Sequence, residues 1–335
     1  MIKLTRENFA MARDFIFVHP NDINHAWFRY HFEAKEHPES SFLDGETCAF
    51  MDVLAKYQHE NGGFGGLSDE FEYTGPCLKC TEIAIGYIFG LYEKPSCDHP
   101  VIKKTMDYLL KQYIPEIGNW GEPFVPEINE HPHCRWSRYR GDTPLHLSDD
   151  EERIKSYDAN EKACFAAFIA AYSEIVPKEL QDKIIKFPTQ HALRYWDKNS
   201  PEYNKEMWSG SQSYDVGYMM WLVPHLKDKA LADKLKIILL QEPAAGWELD
   251  FSKADNDYVH LPDASSPDDY VYAAEKKLID EAITYQIKRQ CGNGKWPLGW
   301  SYGDSEEMKK LEAKSDLMRT VNMLVKLKRF DRIEM

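Results

Sequence analysis

Three short polar signatures stand where apolar helices are expected to begin, and their residue types suit acid–base work. Ser156-Tyr157-Asp158 precedes ANEKACFAAFIAAY, Ser213-Tyr214-Asp215 precedes VGYMMWLVPHL, and Ser315-Asp316 precedes LMRTVNMLVKL. Glu72 and Tyr73 precede another such helix, and one long loop, Gly121 to Lys155, adds His133, Arg135, Trp136 and Arg138. A carboxylate beside a Tyr or His can give or take a proton when burial raises its pKa. Asp158, Asp215, Asp316 and His133 are therefore the candidate catalytic residues. Tyr73, Trp136, Tyr157, Tyr214, Arg135 and Arg138 are the candidate ligand contacts. The competing reading is capping: Ser and Asp oxygens accept the first unpaired backbone N–H groups of a helix.

Other constellations are weaker. Cys77-Leu-Lys-Cys80 has zinc-ligand spacing, with His131, His133 and Cys134 as conceivable partners. One such pair at the start of a helix is also ordinary small-residue packing, and neither a metal nor a cofactor is expected. Asp149-Asp150-Glu151-Glu152 reads as the acidic start of a helix, and Cys97-Asp98-His99 as a cap. The chain contains no nucleophile elbow, P-loop or dinucleotide fingerprint. GGFGG lacks the Lys-Ser/Thr of a phosphate loop and reads as a turn.

The elements that must position these residues are helices. Apolar periodicity of helical type predicts helices over Glu46 to His59, Leu78 to Leu91, Val101 to Tyr113, Ala159 to Ile175, Val216 to Leu226, Ala230 to Leu240, Asp269 to Lys288 and Lys314 to Leu327. Between them a glutamine, a turn glycine and an aromatic ring recur. Gln58-Gly62-Phe64 and Gln290-Gly294-Trp296 share one spacing; Gln112-Gly118-Trp120 and Gln241-Gly246-Trp247 are looser copies. The centres fall near 63, 119, 246 and 295, and the long middle interval fits two units, with a degenerate turn near Tyr195-Trp196 or Trp208-Gly210. A repeat of about 50 residues suits one helical hairpin plus its connections. Helices apolar on every face, such as the one holding Ala163, Ala166, Ala167, Ala170 and Ala171, suit an inner layer; one-faced helices such as VIKKTMDYLLKQY suit an outer one.

The glutamine–glycine–aromatic repeats resemble the QW motifs of the squalene and terpenoid cyclases and the related repeats of protein prenyltransferase β subunits. The stretches FIFVHPNDINHAWFRYHFEAKE, VLAKYQHENGGFGG and EFEYTGPCLKCTEIAIGYIFGL are similar to those of uncharacterised bacterial members of that superfamily. The resemblance implies an all-α, single-domain α/α toroid over residues 1–335, with a central cavity ringed by parallel inner helices. Their N-termini would then gather at one mouth, bringing the polar signatures and the long loop around a ligand site. The D-x-D-D of class II cyclases and the D-x-C of the zinc prenyltransferases are both missing. The expectation is therefore a toroid that binds or transforms an apolar or prenyl-type ligand by neither standard chemistry. A carbohydrate-active enzyme on an α/α barrel and a non-catalytic scaffold are the alternatives.

Composition sets the outer limits. Apolar residues make up 43% of the 335, enough to bury a sizeable core, and the net charge is −14. With no basic stripe, general nucleic-acid binding is not expected. No apolar run reaches the roughly 20 residues of a membrane span, the start lacks a signal-peptide core, and seven scattered cysteines suit reduced thiols. A cytoplasmic protein with a small-molecule or oligosaccharide ligand is the expectation.

Overall fold

The computed structural model describes residues 1–33, 43–141, 149–155, 160–204, 212–241, 250–251 and 264–334, with backbone alone at 43–44, 160–161 and 212–216. The class is all-α. Among the described residues the α-helices are α1 (Arg6–Val18), α2 (Asp22–Phe32), α3 (Leu43–Ala55), α4 (Leu78–Phe89), α5 (Pro100–Gln112), α6 (Asp150–Lys155), α7 (Asn160–Ala171), α8 (Lys178–His191), α9 (Gln212–Leu222), α10 (Lys229–Leu239), α11 (Tyr270–Lys288) and α12 (Glu306–Arg329). A two-residue antiparallel pair, Tyr113–Ile114 with Asn119–Trp120, closes the turn after α5.

The two well-spaced repeats are built alike. After α3, Gln58 Nε2 donates to Gly62 O (3.0 Å), Val101 O (3.1 Å) and Thr105 Oγ1 (3.0 Å), joining its own turn to the first turns of α5. After α11, Gln290 Nε2 donates to Gly294 O and to Asn8 O, both at 2.9 Å, joining its turn to the first turn of α1. Gly62 (φ +92°) lies so close to α5 that a Cβ would stand 2.0 Å from Lys104 O; Gly294 (φ +90°) would meet Met11 O at 2.3 Å. No other residue fits a left-handed turn pressed onto a helix backbone. The rings that follow are sealed in: Phe64 is 0% and Trp296 2% exposed. Their backbone N–H groups donate to Thr81 Oγ1 on α4 (3.2 Å) and Thr320 Oγ1 on α12 (3.1 Å).

The looser copies keep part of the device. Trp120 is buried and its indole N–H donates to Leu109 O of the preceding helix at 2.8 Å, as Trp296 does to Gln286 O at 2.7 Å. Gln112, however, is exposed, so that unit has the ring without the amide clamp. Gln241 points backwards, accepting from Lys198 N (2.8 Å) and donating to Asp197 Oδ1 (3.2 Å) beside the π-helical turn Ala192–Trp196. Trp247 and the Trp208-Gly210 turn lie outside the described residues.

Three helices, α4, α9 and α12, run in one direction. From α4 to α9, Glu82 meets Tyr218 and Phe89 meets both Trp221 and His225. From α4 to α12, Ser68 in the segment leading to α4 meets Lys314, and Gly90 at the end of α4 meets Arg329 (2.6 Å). The chain ends also meet: Leu4 N donates to Arg332 O (2.7 Å), Glu334 N to Leu4 O (2.9 Å), and the fully buried Arg332 guanidinium reaches Ile2 O and Thr284 Oγ1, both at 2.6 Å.

One expected boundary is wrong by more than two turns. α12 begins at Glu306, capped by Ser305, and not at Ser315-Asp316. The periodicity from Leu317 onward marks the buried half; the first turns, EEMKKLEAK, bury Leu311 alone and are helical through propensity and the Ser305 cap with little apolar signal. α9 has likewise already begun at Gln212, so Asp215 lies in its first turn. α1, α2 and α8 are helices beyond those the periodicity picked out, and α11 kinks at Glu275.

Candidate functional site

A buried polar nest lies where α4 and the buried half of α12 start. The segment after the Gly62 turn enters it under tight backbone control: Cys134 N donates to Glu70 O (2.8 Å) and Glu72 N to Pro132 O (2.9 Å), a short ladder that lays the long loop along residues 70–72. Glu70 then grips that loop with its side chain, accepting from Trp136 Nε1 (3.1 Å) and from Ser137 Oγ. Burial, more than any neighbour, pushes its carboxyl above the usual range; Asp69 adds to the rise, while Lys79, Ser137 and Trp136 oppose it.

Asp69 faces α12. Ser315 donates its hydroxyl to Asp69 Oδ2, and Tyr302 OH stands 2.8 Å from Ser315 Oγ, so a hydrogen-bonded chain Tyr302–Ser315–Asp69 crosses the nest. Asp69 is 8% and Ser315 1% exposed. Lys314 reaches Ser68 O, and burial lowers its ammonium pKa against the pull of Asp69, Cys80 and Glu72. Ser301 Oγ (2.6 Å) and Tyr302 N (2.5 Å) both donate to Glu312, which fixes the strand of loop carrying Tyr302. The Trp136 and Tyr302 rings meet edge to face at 5.5 Å.

From this nest a stripe continues along α4. Lys79, Ile83, Gly86 and Phe89 are its half-buried positions, three to four residues apart, while most of the helix is buried. Lys79 pairs with Glu82 (3.0 Å), whose other oxygen accepts from Tyr218 OH at 2.5 Å. Two turns further along α4 the partners are aromatic: Phe89 stands edge-on to Trp221 and stacks on His225, both at 5.5 Å between centroids. The stripe is thus charged at the helix N-terminus and aromatic towards its end.

The sequence candidates divide accordingly. Trp136 is in the nest. Asp316 borders it, but as a buried residue inside α12 that binds Lys295 (2.6 Å) and accepts from Leu298 N (2.9 Å), not as a helix cap at a rim. Tyr73 lies over His131 at 5.6 Å, and His133 Nδ1 is 2.7 Å from His131 O, both on the loop ladder. Arg135 and Arg138 are exposed, the former with its guanidinium 5.9 Å from the Trp136 ring. Tyr157 and Asp158 lie outside the described residues, and the side chains of Tyr214 and Asp215 are not described. Asp69, Glu70, Lys79, Glu82, Tyr218, Tyr302 and Lys314 were missed. A usable signal existed for two of them: Lys79 and Glu82 are charges inside an otherwise largely apolar, buried helix.

Among the described residues no three His, Cys, Asp or Glu side chains gather as a metal ion requires, and no helix is long and apolar enough to cross a membrane. A cavity of about 750 Å³ lies along α11, lined by Met1, Phe251, Lys276, Asp280, Tyr285 and Lys288 among others, and shares no residue with the nest. No protein-family model matches the chain. No curated protein matches it either.

Proposed function

We propose that this protein is a closed α/α toroid of the terpenoid-cyclase and prenyltransferase kind, cytoplasmic, that binds an amphiphilic, prenyl-type ligand between its inner helices. The ring is supported by the equivalence of the two clamps, since Gln290 treats α1 as Gln58 treats the next outer helix, α5. The ligand class rests on the α4 stripe: a polar mouth at Lys79, Glu82 and Tyr218, then Trp221, Phe89 and His225. An apolar body between the rings with a head group at the mouth matches that order. Lys79 is paired with Glu82 and Lys295 with Asp316, so the mouth has little cationic charge to spare, and a hydroxyl head suits it better than a diphosphate. The hydrogen-bonded chain Tyr302–Ser315–Asp69 supplies a route for a proton at that mouth.

Thermal-shift measurements with isoprenoid alcohols, isoprenoid diphosphates and oligosaccharides test this. A ligand at a hundred times its Kd adds about 2.7 kcal/mol to the stability of the native state. Isoprenoid alcohols should raise Tm, and Trp221→Ala should remove the effect. A response to oligosaccharides alone would replace the reading with a carbohydrate-active one, which the ring pair Trp136–Tyr302 beside Asp69 and Glu70 favours. No response to any of them would favour a scaffold.

A further inference from the structure

The pair Cys77 and Cys80 plays no part in the ligand reading, yet its geometry sets two thiols side by side across one helical turn. Cys77 is the N-cap of α4, with extended backbone (φ −147°, ψ 162°), and its Sγ accepts from Cys80 N at 3.4 Å. N-cap and N3 side chains face one another across the first turn, which is why reciprocal capping pairs use these two positions. The backbone there is held firmly: Cys77 N donates to Phe64 O (3.0 Å) and Thr81 Oγ1 to Cys77 O (2.8 Å). Both thiols are 0% exposed, and two phenols sense both, the half-buried Tyr73 and the buried Tyr108.

We propose that Cys77 and Cys80 form a redox-active pair that closes to an intramolecular disulfide on reaction with a small disulfide oxidant. Cys77 Sγ sits at the N-cap, where it accepts from the Cys80 N–H, and Cys80 stands beside it at N3. One of the two sulfurs displaces one thiolate from the oxidant to give a mixed disulfide. The other attacks that sulfur, forming the Cys77–Cys80 bond and releasing the second thiolate, which takes up its proton. Two electrons pass from the pair to the oxidant, which leaves as two thiols.

The experiment treats the native protein with oxidised glutathione, alkylates the remaining thiols and maps the peptides by mass spectrometry. The expected product is a single Cys77–Cys80 link, lighter by two hydrogens, with the equally buried Cys134 and Cys164 still reduced. Cys77→Ser and Cys80→Ser should each abolish the link and leave no more than a glutathione adduct on the remaining thiol, and Tyr73→Ala should speed closure several-fold. Serine is close in size, and Tm and circular dichroism confirm that each variant is folded. The proposal is overturned if both thiols remain free once the exposed Cys48 is fully modified, or if they react no faster than Cys134 and Cys164.

Discussion

The Gln58 turn and the Gln290 turn are the same device in two places, and their difference is instructive. Gln58 reaches 43 residues along the chain to Val101; Gln290 reaches back 282 residues to Asn8. The first links neighbours, as in any stack of repeats, whereas the second joins the last hairpin to the first helix. In both, a threonine on the following helix caps the ring residue and bonds back to a carbonyl four residues earlier, Cys77 for Thr81 and Asp316 for Thr320. Cys77 is a helix cap and Asp316 lies in mid-helix. The clamp therefore fixes the ring and the threonine, while the start of the following helix is free to move by several turns.

Substitutions of the glycines test the comparison most severely. Gly62→Ala and Gly294→Ala each place a methyl group 2.0–2.3 Å from a helix carbonyl in a left-handed turn. Each should cost at least about 3 kcal/mol, while Gly292→Ala, with nothing within 4 Å of its Cβ position, should stay within about 0.5 kcal/mol. Urea unfolding monitored by circular dichroism gives these values. Equal losses at 62 and 294 would establish that the closing clamp matters as much as the internal one.

The rings come next. Phe64→Ala and Trp296→Ala empty fully enclosed sites and should each cost about 3–5 kcal/mol. Trp296 also leaves Gln286 O without its indole donor, so it should be the larger of the two by calorimetry. Gln58→Ala and Gln290→Ala are expected at about 1–3 kcal/mol each, with Gln112→Ala near zero because that side chain is exposed.

Two pH effects of opposite sign separate the polar regions. His31 is 1% exposed, and burial together with Arg329 and Lys328 lowers its pKa to about 2. Unfolded, it titrates near 6.5, so the unfolded state binds the extra proton, and stability should fall as pH drops below that value. His31→Gln should flatten this acid limb. Glu70 has the reverse sign: its folded pKa is raised, so its contribution is complete below the ordinary carboxyl range and is lost as pH rises through the folded value. Glu70→Gln should remove that smaller slope from the Tm–pH curve.

Much of this was legible in the sequence, and the failures have physical causes. Helix class and the Gln–Gly–aromatic turns could be read because both leave local marks: a period near 3.6, and a glycine where only glycine fits. The nest could not, because Asp69 and Ser315 are 246 residues apart and nothing local links the two. Asp316 was found for the wrong reason, since a buried ion pair and a helix cap place the same residue type before an apolar run. His133 and the two arginines looked chemical because loops carry function, yet their loop is anchored through Glu70, Trp136 and Ser137 instead.

The closing of the ring is tested most directly by native-state hydrogen exchange of α1 measured beside α4. An open array of repeats frays at its ends, whereas a closed one has no end to fray. If Gln290 and Gly294 lock α1 into the ring, its buried amides should exchange with the same opening free energy as those of α4, and Gly294→Ala should lower both. Exchange of α1 through a separate, low-energy opening that leaves α4 protected would contradict the closed ring.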